Sequence, residues 1–190
     1  MMRVVVITDE PFFDGEAEAV ARLLESGAAW RVHLRKPGCG ESDMRKLIEA
    51  VPAGLRARLS LHDCQHLAAE YGCGVHLNGR CPEAPAGFNG LCSASCHSLE
   101  EVRRHADAGY VFLSPVYDSI SKQGYRAGFS PEELHGQVDD RVIALGGVTP
   151  GRLPQLRRAG FGGAAMLGSV WRDFSKDRLE NFIKAICSNS

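Results

Sequence analysis

Ser98-Leu99-Glu100-Glu101-Val102-Arg103-Arg104-His105-Ala106-Asp107-Ala108-Gly109-Tyr110-Val111-Phe112-Leu113-Ser114-Pro115 reads as one helix, one stop and one strand. Ser98 stands at an N-cap, and Glu101 follows at the spacing of a capping box. The helix then runs from Leu99 to Ala108, and Gly109 sits where a residue tolerant of positive φ closes it. Tyr110 to Ser114 is an apolar, strand-prone run that fits a sheet covered on both faces.

The same phrase of helix, glycine and strand recurs at Gly72 and Gly160, and Gly27 also follows a helical stretch. Working outward, strands are predicted at Arg3–Thr8, Arg31–Arg35, Arg58–His62, Gly74–Leu77, Leu91–Ser95, Tyr110–Ser114, Val142–Leu145 and Gly163–Leu167. Between and after them the spacing predicts helices over Glu16–Ser26, Ser42–Val51, Cys64–Tyr71, Leu99–Ala108, Pro131–Gln137, Pro150–Ala159 and Leu179–Ile186. Thr149-Pro150 places a cap before a first-turn proline. Arg80 to Asn89 holds two prolines and no helical stripe, so the helix after the fourth strand is shortened or absent. Eight βα units in 190 residues predict a single compact α/β domain over 1–190, a (β/α)8 TIM barrel with short connections. A doubly wound open sheet is the runner-up, because the same alternation builds it.

Composition narrows the partners. The formal net charge is −1, with 44% hydrophobic and 24% charged residues, which gives no electrostatic reason for a nucleic-acid partner. No apolar run approaches the roughly 20 residues a membrane span needs, and Met1 to Ile7 is too short for a signal peptide, so a cytoplasmic protein without a membrane partner is expected. Seven cysteines without a CxxC pair argue for free thiols rather than a disulfide framework or zinc ribbon.

In a barrel the chemistry sits at the C-terminal ends of the strands. Those ends read Thr8-Asp9, His33-Leu34-Arg35-Lys36, His62-Asp63, His76-Leu77-Asn78, Ser95-Cys96-His97 and Ser114-Pro115. The last two strands end at Gly146-Gly147 and Gly168-Ser169, where backbone N–H groups before a helix can hold a phosphate. Gly160-Phe161-Gly162-Gly163 does not lead a strand into a helix and is rejected as a dinucleotide fingerprint. His66, His105 and His135 fall on predicted helices and read as surface or packing residues. Lys122 lies in a hydroxyl-rich loop after the sixth strand, placed to meet an anion at the barrel mouth.

In order along the chain, Val6-Ile7-Thr8-Asp9, His33-Leu34-Arg35-Lys36, His62-Asp63, Gly74-Val75-His76-Leu77, Ser95-Cys96-His97-Ser98-Leu99-Glu100-Glu101, Ser114-Pro115-Val116-Tyr117 with Ser121-Lys122, and Ala144-Leu145-Gly146-Gly147-Val148 resemble the thiamine phosphate synthase/TenI family. The resemblance implies an enzyme of thiamine biosynthesis, a transferase joining an aminopyrimidine methyl diphosphate to a thiazole phosphate with help from Mg2+. Its partners would be those two phosphorylated small molecules, and a homodimer is the expected assembly. By position, Arg35 and Lys122 would bind the diphosphate, Asp63 would hold magnesium and Ser95 would contact the diphosphate. Gly147 with Gly168 would receive the thiazole phosphate, flanked by Gly146 and Ser169, and His76 would line the pyrimidine side. His33 is placed with the substrate-binding residues.

The chain departs from the synthase pattern at three points. Arg35-Lys36-Pro37 stands where Arg-Glu-Lys is usual, leaving Lys36 to supply a shifted charge; His62-Asp63 replaces Asn-Asp; and Cys81 takes the place of a second acidic metal ligand. Magnesium prefers hard oxygen donors, so Cys81 weakens that site. The sibling activity, a TenI-type thiazole tautomerase, needs an acid/base and no metal, a role open to His62 and Lys122. A noncatalytic binder of a phosphorylated thiazole or pyrimidine is the third reading.

Overall fold

A computed structural model describes residues 2–117, 129–131 and 133–188. Eight strands, β1 (Arg3–Ile7), β2 (Arg31–Leu34), β3 (Leu59–Leu61), β4 (Gly74–Leu77), β5 (Cys92–Cys96), β6 (Tyr110–Leu113), β7 (Val142–Ala144) and β8 (Gly163–Met166), form a closed barrel. Every neighbouring pair is parallel, and β1 meets β8 with Val4 opposite Ala164 and Val6 opposite Met166. That closure overturns the open-sheet alternative: an open doubly wound sheet would leave its edge strands unpaired.

The eight strand assignments hold to within about a residue at each end, the usual scatter of element boundaries. The helices α1 (Glu16–Glu25), α2 (Glu41–Ala50), α3 (Ala68–Tyr71), α4 (Leu99–Arg104), α5 (Leu153–Ala159), α6 (Gly168–Trp171) and α7 (Lys176–Ser188) pack outside. In α7 the apolar residues Leu179, Phe182, Ile183 and Ile186 fall at helical spacing and are all buried. Removing each large apolar side chain from water contributes about 1.5–3 kcal/mol.

Differences from the sequence reading have local causes. The described part of Pro131–Gln137 forms turns rather than a helix: Leu134 is buried, and Gly136 takes a φ of 77° that right-handed helix cannot contain. Proline at 154, in the first turn of α5, follows a 3-10 turn at Pro150–Arg152. Cys64 has a φ of 50°, so the expected Cys64–Tyr71 helix begins later, as a 3-10 turn at Gln65–Leu67 leading into α3. Two elements were not foreseen, a 3-10 helix at Ala53–Arg58 and the single turn of α6. No helix separates β4 from β5, as the prolines of that segment imply.

Capping follows the sequence at Ser98, whose Oγ accepts from Glu101 N at 3.1 Å, while Glu101 Oε2 accepts from His97 N at 2.6 Å. Gly27, Gly72 and Gly160 take positive φ, but Gly109 does not. At Gly109 a Cβ would lie 2.5 Å from Leu91 Cδ1, the end of a side chain that can turn aside, so neither φ nor space demands glycine there.

The barrel interior is divided. Val5, Ile7, Tyr110, Phe112, Ile143 and Ala165, from β1, β6, β7 and β8, form an apolar wedge, while β2 to β5 contribute His33, Ser60, His76 and Ser93. A second, larger apolar core, including Val4, Val6, Val20, Leu23, Leu34 and Ile183, fills the layer between strands and helices. Among the described residues no helix is long and apolar enough to cross a membrane.

Candidate active site

The C-terminal ends of the strands open on a cavity of about 480 Å³, lined by Asp9, Glu10, Arg35, His62, Asn78, Gly79, Arg80, Ser95, His97 and Ser114 over a floor that includes Ile7, Phe112, Leu145 and Leu167. Thr8 sets the register at the rim, because its Oγ1 accepts from Arg35 N at 3.0 Å. Arg35 itself leans into the cavity with its side chain 22% exposed, and its Nη1 donates to Glu10 Oε1 at 2.6 Å. A phosphate entering here competes with an exposed carboxylate, a weak competitor because water screens exposed ion pairs.

Lys36 turns the other way. Its fully buried Nζ donates to Glu16 Oε1 at 2.6 Å, to Pro11 O at 2.8 Å and to Asp9 O at 2.9 Å, tying down the loop after β1. It does not line the mouth, so the shifted charge expected of it is spent inside the protein. Glu16 Oε2 has no partner among the described residues, and burial pushes this carboxyl above its usual range against the pull of Lys36.

Asp63 is held on both oxygens. Its Oδ2 accepts from Lys36 N at 3.0 Å, and its Oδ1 accepts from Arg80 Nη2 at 3.0 Å and Nε at 3.1 Å. A tight turn aims Arg80: Asn78 and Cys81 exchange backbone hydrogen bonds, Asn78 Oδ1 accepts from Arg80 N at 3.0 Å, and Asn78 Nδ2 donates to the carbonyls of His62 and His76. The sequence marks Cys81 as a departure at a metal-ligand position and assigns Arg80 no role. The signal available was Asn78-Gly79, a turn pair directly after a strand, with the cation following it.

Beneath the mouth lies a layer of imidazoles. His33 Nδ1 faces His62 Nε2 at 2.8 Å, His33 Nε2 meets the Tyr110 hydroxyl at 2.6 Å, and the rings of His62 and His76 stack with centroids 4.1 Å apart. His76 contacts Ser93 Oγ through Nδ1 and Ser95 Oγ through Nε2, both at 2.8 Å. Of these three, His62 alone lines the cavity; His33 and His76 are fully buried and reach the mouth only through His62 and Ser95. Burial holds His33 and His62 well below the usual imidazole range and pushes His76 down to about 3, so all three are neutral near pH 7.

At the other side of the mouth, Leu145 and Leu167 line the floor, which places the glycine turns that follow them at its rim. Ser169 Oγ donates to Val148 O at 3.2 Å, joining the turn after β7 to the turn after β8. Gly146 takes a φ of 97°, and a Cβ there would lie 2.9 Å from Pro115 Cα. Gly146→Ala is therefore expected to cost about 1–3 kcal/mol, read as a lower urea midpoint at unchanged slope. Lys122 lies outside the described residues.

A closed parallel barrel whose cavity, lined by two arginines, opens at the C-terminal ends of its strands places the molecule among the (β/α)8 barrel proteins. The chain belongs to the family described as thiamine monophosphate synthase (TMP-TENI), which matches residues 4–170. A thiamine-phosphate synthase of Methanoculleus marisnigri is 30% identical over 182 residues, 87% of this chain and 85% of that protein. The crystal structure of thiamine phosphate pyrophosphorylase from Bacteroides thetaiotaomicron is similar with a TM-score of 0.87 and 32% identity, covering 99% of this chain and 97% of that one. The bifunctional protein ThiM/ThiE of Symbiobacterium thermophilum is 32% identical over 125 residues, 60% of this chain, and that match spans 26% of the larger protein.

This family is generally magnesium-dependent. The donors around Asp63 do not fit that ion. Asp63 has both oxygens engaged, one by a guanidinium; Cys81 offers sulfur where a second hard oxygen is needed; and Glu10 is paired with Arg35.

Proposed function

We propose that this chain acts in thiamine biosynthesis as a thiamine phosphate synthase-type transferase. The observation that carries the reading is a single mouth cavity in which Arg35 and Arg80 stand beside His62 and Ser95, in a chain of the thiamine monophosphate synthase family. In the reaction the methylene C–O bond of an aminopyrimidine methyl diphosphate breaks, pyrophosphate leaves with the bonding pair, and the thiazole nitrogen of a thiazole phosphate bonds the methylene carbon. The amino group of the pyrimidine donates electron density to the methylene cation. The protein's own task is to hold the two substrates and compensate the charge that gathers on the leaving group.

Arg35 and Arg80 offer charge-assisted hydrogen bonds to the diphosphate and the Ser95 hydroxyl offers another donor; Lys122, outside the described residues, is proposed as a third cation on the family resemblance alone. Phosphate on the thiazole is assigned to the amides of Gly146-Gly147 and Gly168-Ser169. His76 acts as a positioning residue, fixing Ser95 from below. Because Asp63 and Cys81 do not make a magnesium site, in this reading compensation of the leaving group rests mainly on the guanidinium groups. Two phosphorylated heterocycles are the partners in this reading, and a cytoplasmic homodimer is its assembly.

Incubating the purified chain with both synthase substrates should yield thiamine phosphate. Arg35→Ala should weaken pyrophosphate binding roughly 10- to 100-fold, the equivalent of one or two charge-assisted hydrogen bonds, while the exposed Arg103→Ala leaves it unchanged. Equal affinities for the two variants would remove Arg35 from the site. His62, a neutral imidazole at the cavity wall, favours one second reading, the thiazole tautomerase, with His62 carrying the proton. Isomerisation of thiazole carboxylate phosphate in EDTA without any thiamine phosphate would select it. Failure of both assays, with a phosphorylated thiazole still raising Tm, would leave a binder.

A further inference from the structure

We propose that His33, His62 and His76 form a binding site for a divalent transition-metal ion of the zinc class, set inside the barrel and open through His62 to the mouth cavity. One nitrogen from each of the three rings lies within 4.8 Å of the others. They arise from the ends of three adjacent strands, β2, β3 and β4, so the barrel wall itself sets their spacing. Tetrahedral ligation at metal–nitrogen distances of 2.0–2.1 Å asks for nitrogens about 3.3 Å apart. The observed 2.8 Å between His33 Nδ1 and His62 Nε2 is shorter than that, and His62 and His76 stack with 20° between their planes, so loading the ion requires the His76 ring to turn out of the stack and away from Ser95 Oγ.

Hydrogen-bond accounting shows where the lone pairs point. Ser93 Oγ donates to Val75 O at 3.2 Å, so it accepts from His76 Nδ1–H, which leaves His76 Nε2 as an acceptor on the side of Ser95 and the cavity. His33 Nε2 has Tyr110 Oη as its partner at 2.6 Å, and with the proton on Nε2 the Nδ1 lone pair faces His62. Tyr110 Oη in turn lies 3.4 Å from Ser60 Oγ. A ring nitrogen tied to a second group while the other is presented inward is the arrangement by which metal-ligating imidazoles are oriented. In the metal-free protein one proton lies between His33 and His62; in the loaded state it moves to the outer nitrogen of its ring and the ion takes its place, with every imidazole still neutral.

The donor set selects the ion. Three imidazole nitrogens without a carboxylate suit zinc, cobalt, nickel or copper and not magnesium or calcium, which take oxygen. The fourth position points to the cavity, where water or an anion drawn in by Arg35 and Arg80 completes the coordination and offsets the charge. The site shares His62 and the mouth cavity with the synthase reading but does not rest on it, because its test reads binding rather than turnover.

The test is Co2+ titration of the chelator-stripped full chain, followed by displacement with Zn2+ in a calorimeter. One equivalent of Co2+ should bind with the intense visible bands of low-coordinate nitrogen ligation, and one equivalent of Zn2+ should bleach them. His62→Asn, at the cavity wall, should lower Co2+ affinity at least 10-fold; Tyr110→Phe should lower it by a smaller factor; and His66→Ala, at an exposed histidine, should leave it unchanged. The spectrum of the unaltered protein decides the matter even if a variant fails to fold. Absence of stoichiometric binding, retention of full affinity by a folded His62→Asn protein, or a thiolate-to-cobalt charge-transfer band, which would put the ion at the Cys39 and Cys64 sulfurs 3.9 Å apart, would each overturn the proposal.

Discussion

Replacing Lys36 by alanine is expected to remove about 3–5 kcal/mol of stability, measured by urea unfolding at neutral pH. The side chain and its partner Glu16 are 0% and 2% exposed, so the variant leaves a carboxylate in a dry setting with one oxygen already lacking a partner. Two backbone carbonyls, of Asp9 and Pro11, lose their donor in the same step. The apolar pair Glu16→Leu with Lys36→Met should recover more than half of the loss, because it removes both charges together. A loss below about 1 kcal/mol for Lys36→Ala would show that water reaches the pair.

The second large effect is acid sensitivity. His33 and His62 are held well below the unfolded value of 6.5 and His76 is pushed down to about 3, in each case mainly by burial. Below pH 6.5 the unfolded chain takes up protons that the folded barrel refuses, so stability is fully present above that pH and is lost as the pH falls. Each histidine contributes about 1.4 kcal/mol per pH unit once its unfolded form is protonated, or about 4 kcal/mol per unit for the three. For His76 the loss stops only when the pH passes about 3. Urea midpoints of chelator-treated protein, stepped from pH 7 to about 5, should fall steeply, and His76→Gln should flatten the slope by roughly a third. A midpoint that does not move over that window would mean the imidazoles are solvated.

Much of the architecture was legible because strand residues speak locally. Short apolar runs such as Val4-Val5-Val6-Ile7 and Val142-Ile143-Ala144 belong in a sheet buried on both faces whatever surrounds them. Pro131–Gln137 was misread because a few apolar residues at helical spacing do not outweigh a glycine that takes a positive φ. The site was legible as a set of strand ends and illegible in its directions. Lys36 and Arg35 are neighbours in sequence, yet one is fully buried and the other opens to the cavity, a difference set by Glu16 twenty residues upstream in the folded wall. Arg80 escaped notice because its importance lies in what it holds, the carboxylate of Asp63, and that contact is made only across two loops.

The split lining of the barrel separates two kinds of constraint within one wall. The aliphatic and aromatic wedge of β1, β6, β7 and β8 answers to packing, where a lost methylene is felt at once. The imidazoles and hydroxyls of β2 to β5 answer to one another's hydrogen bonds and meet the mouth through His62 and Ser95. Substitutions on the polar half of the cylinder are therefore expected to alter the mouth through His62 and Ser95 at less cost to packing than substitutions on the apolar half.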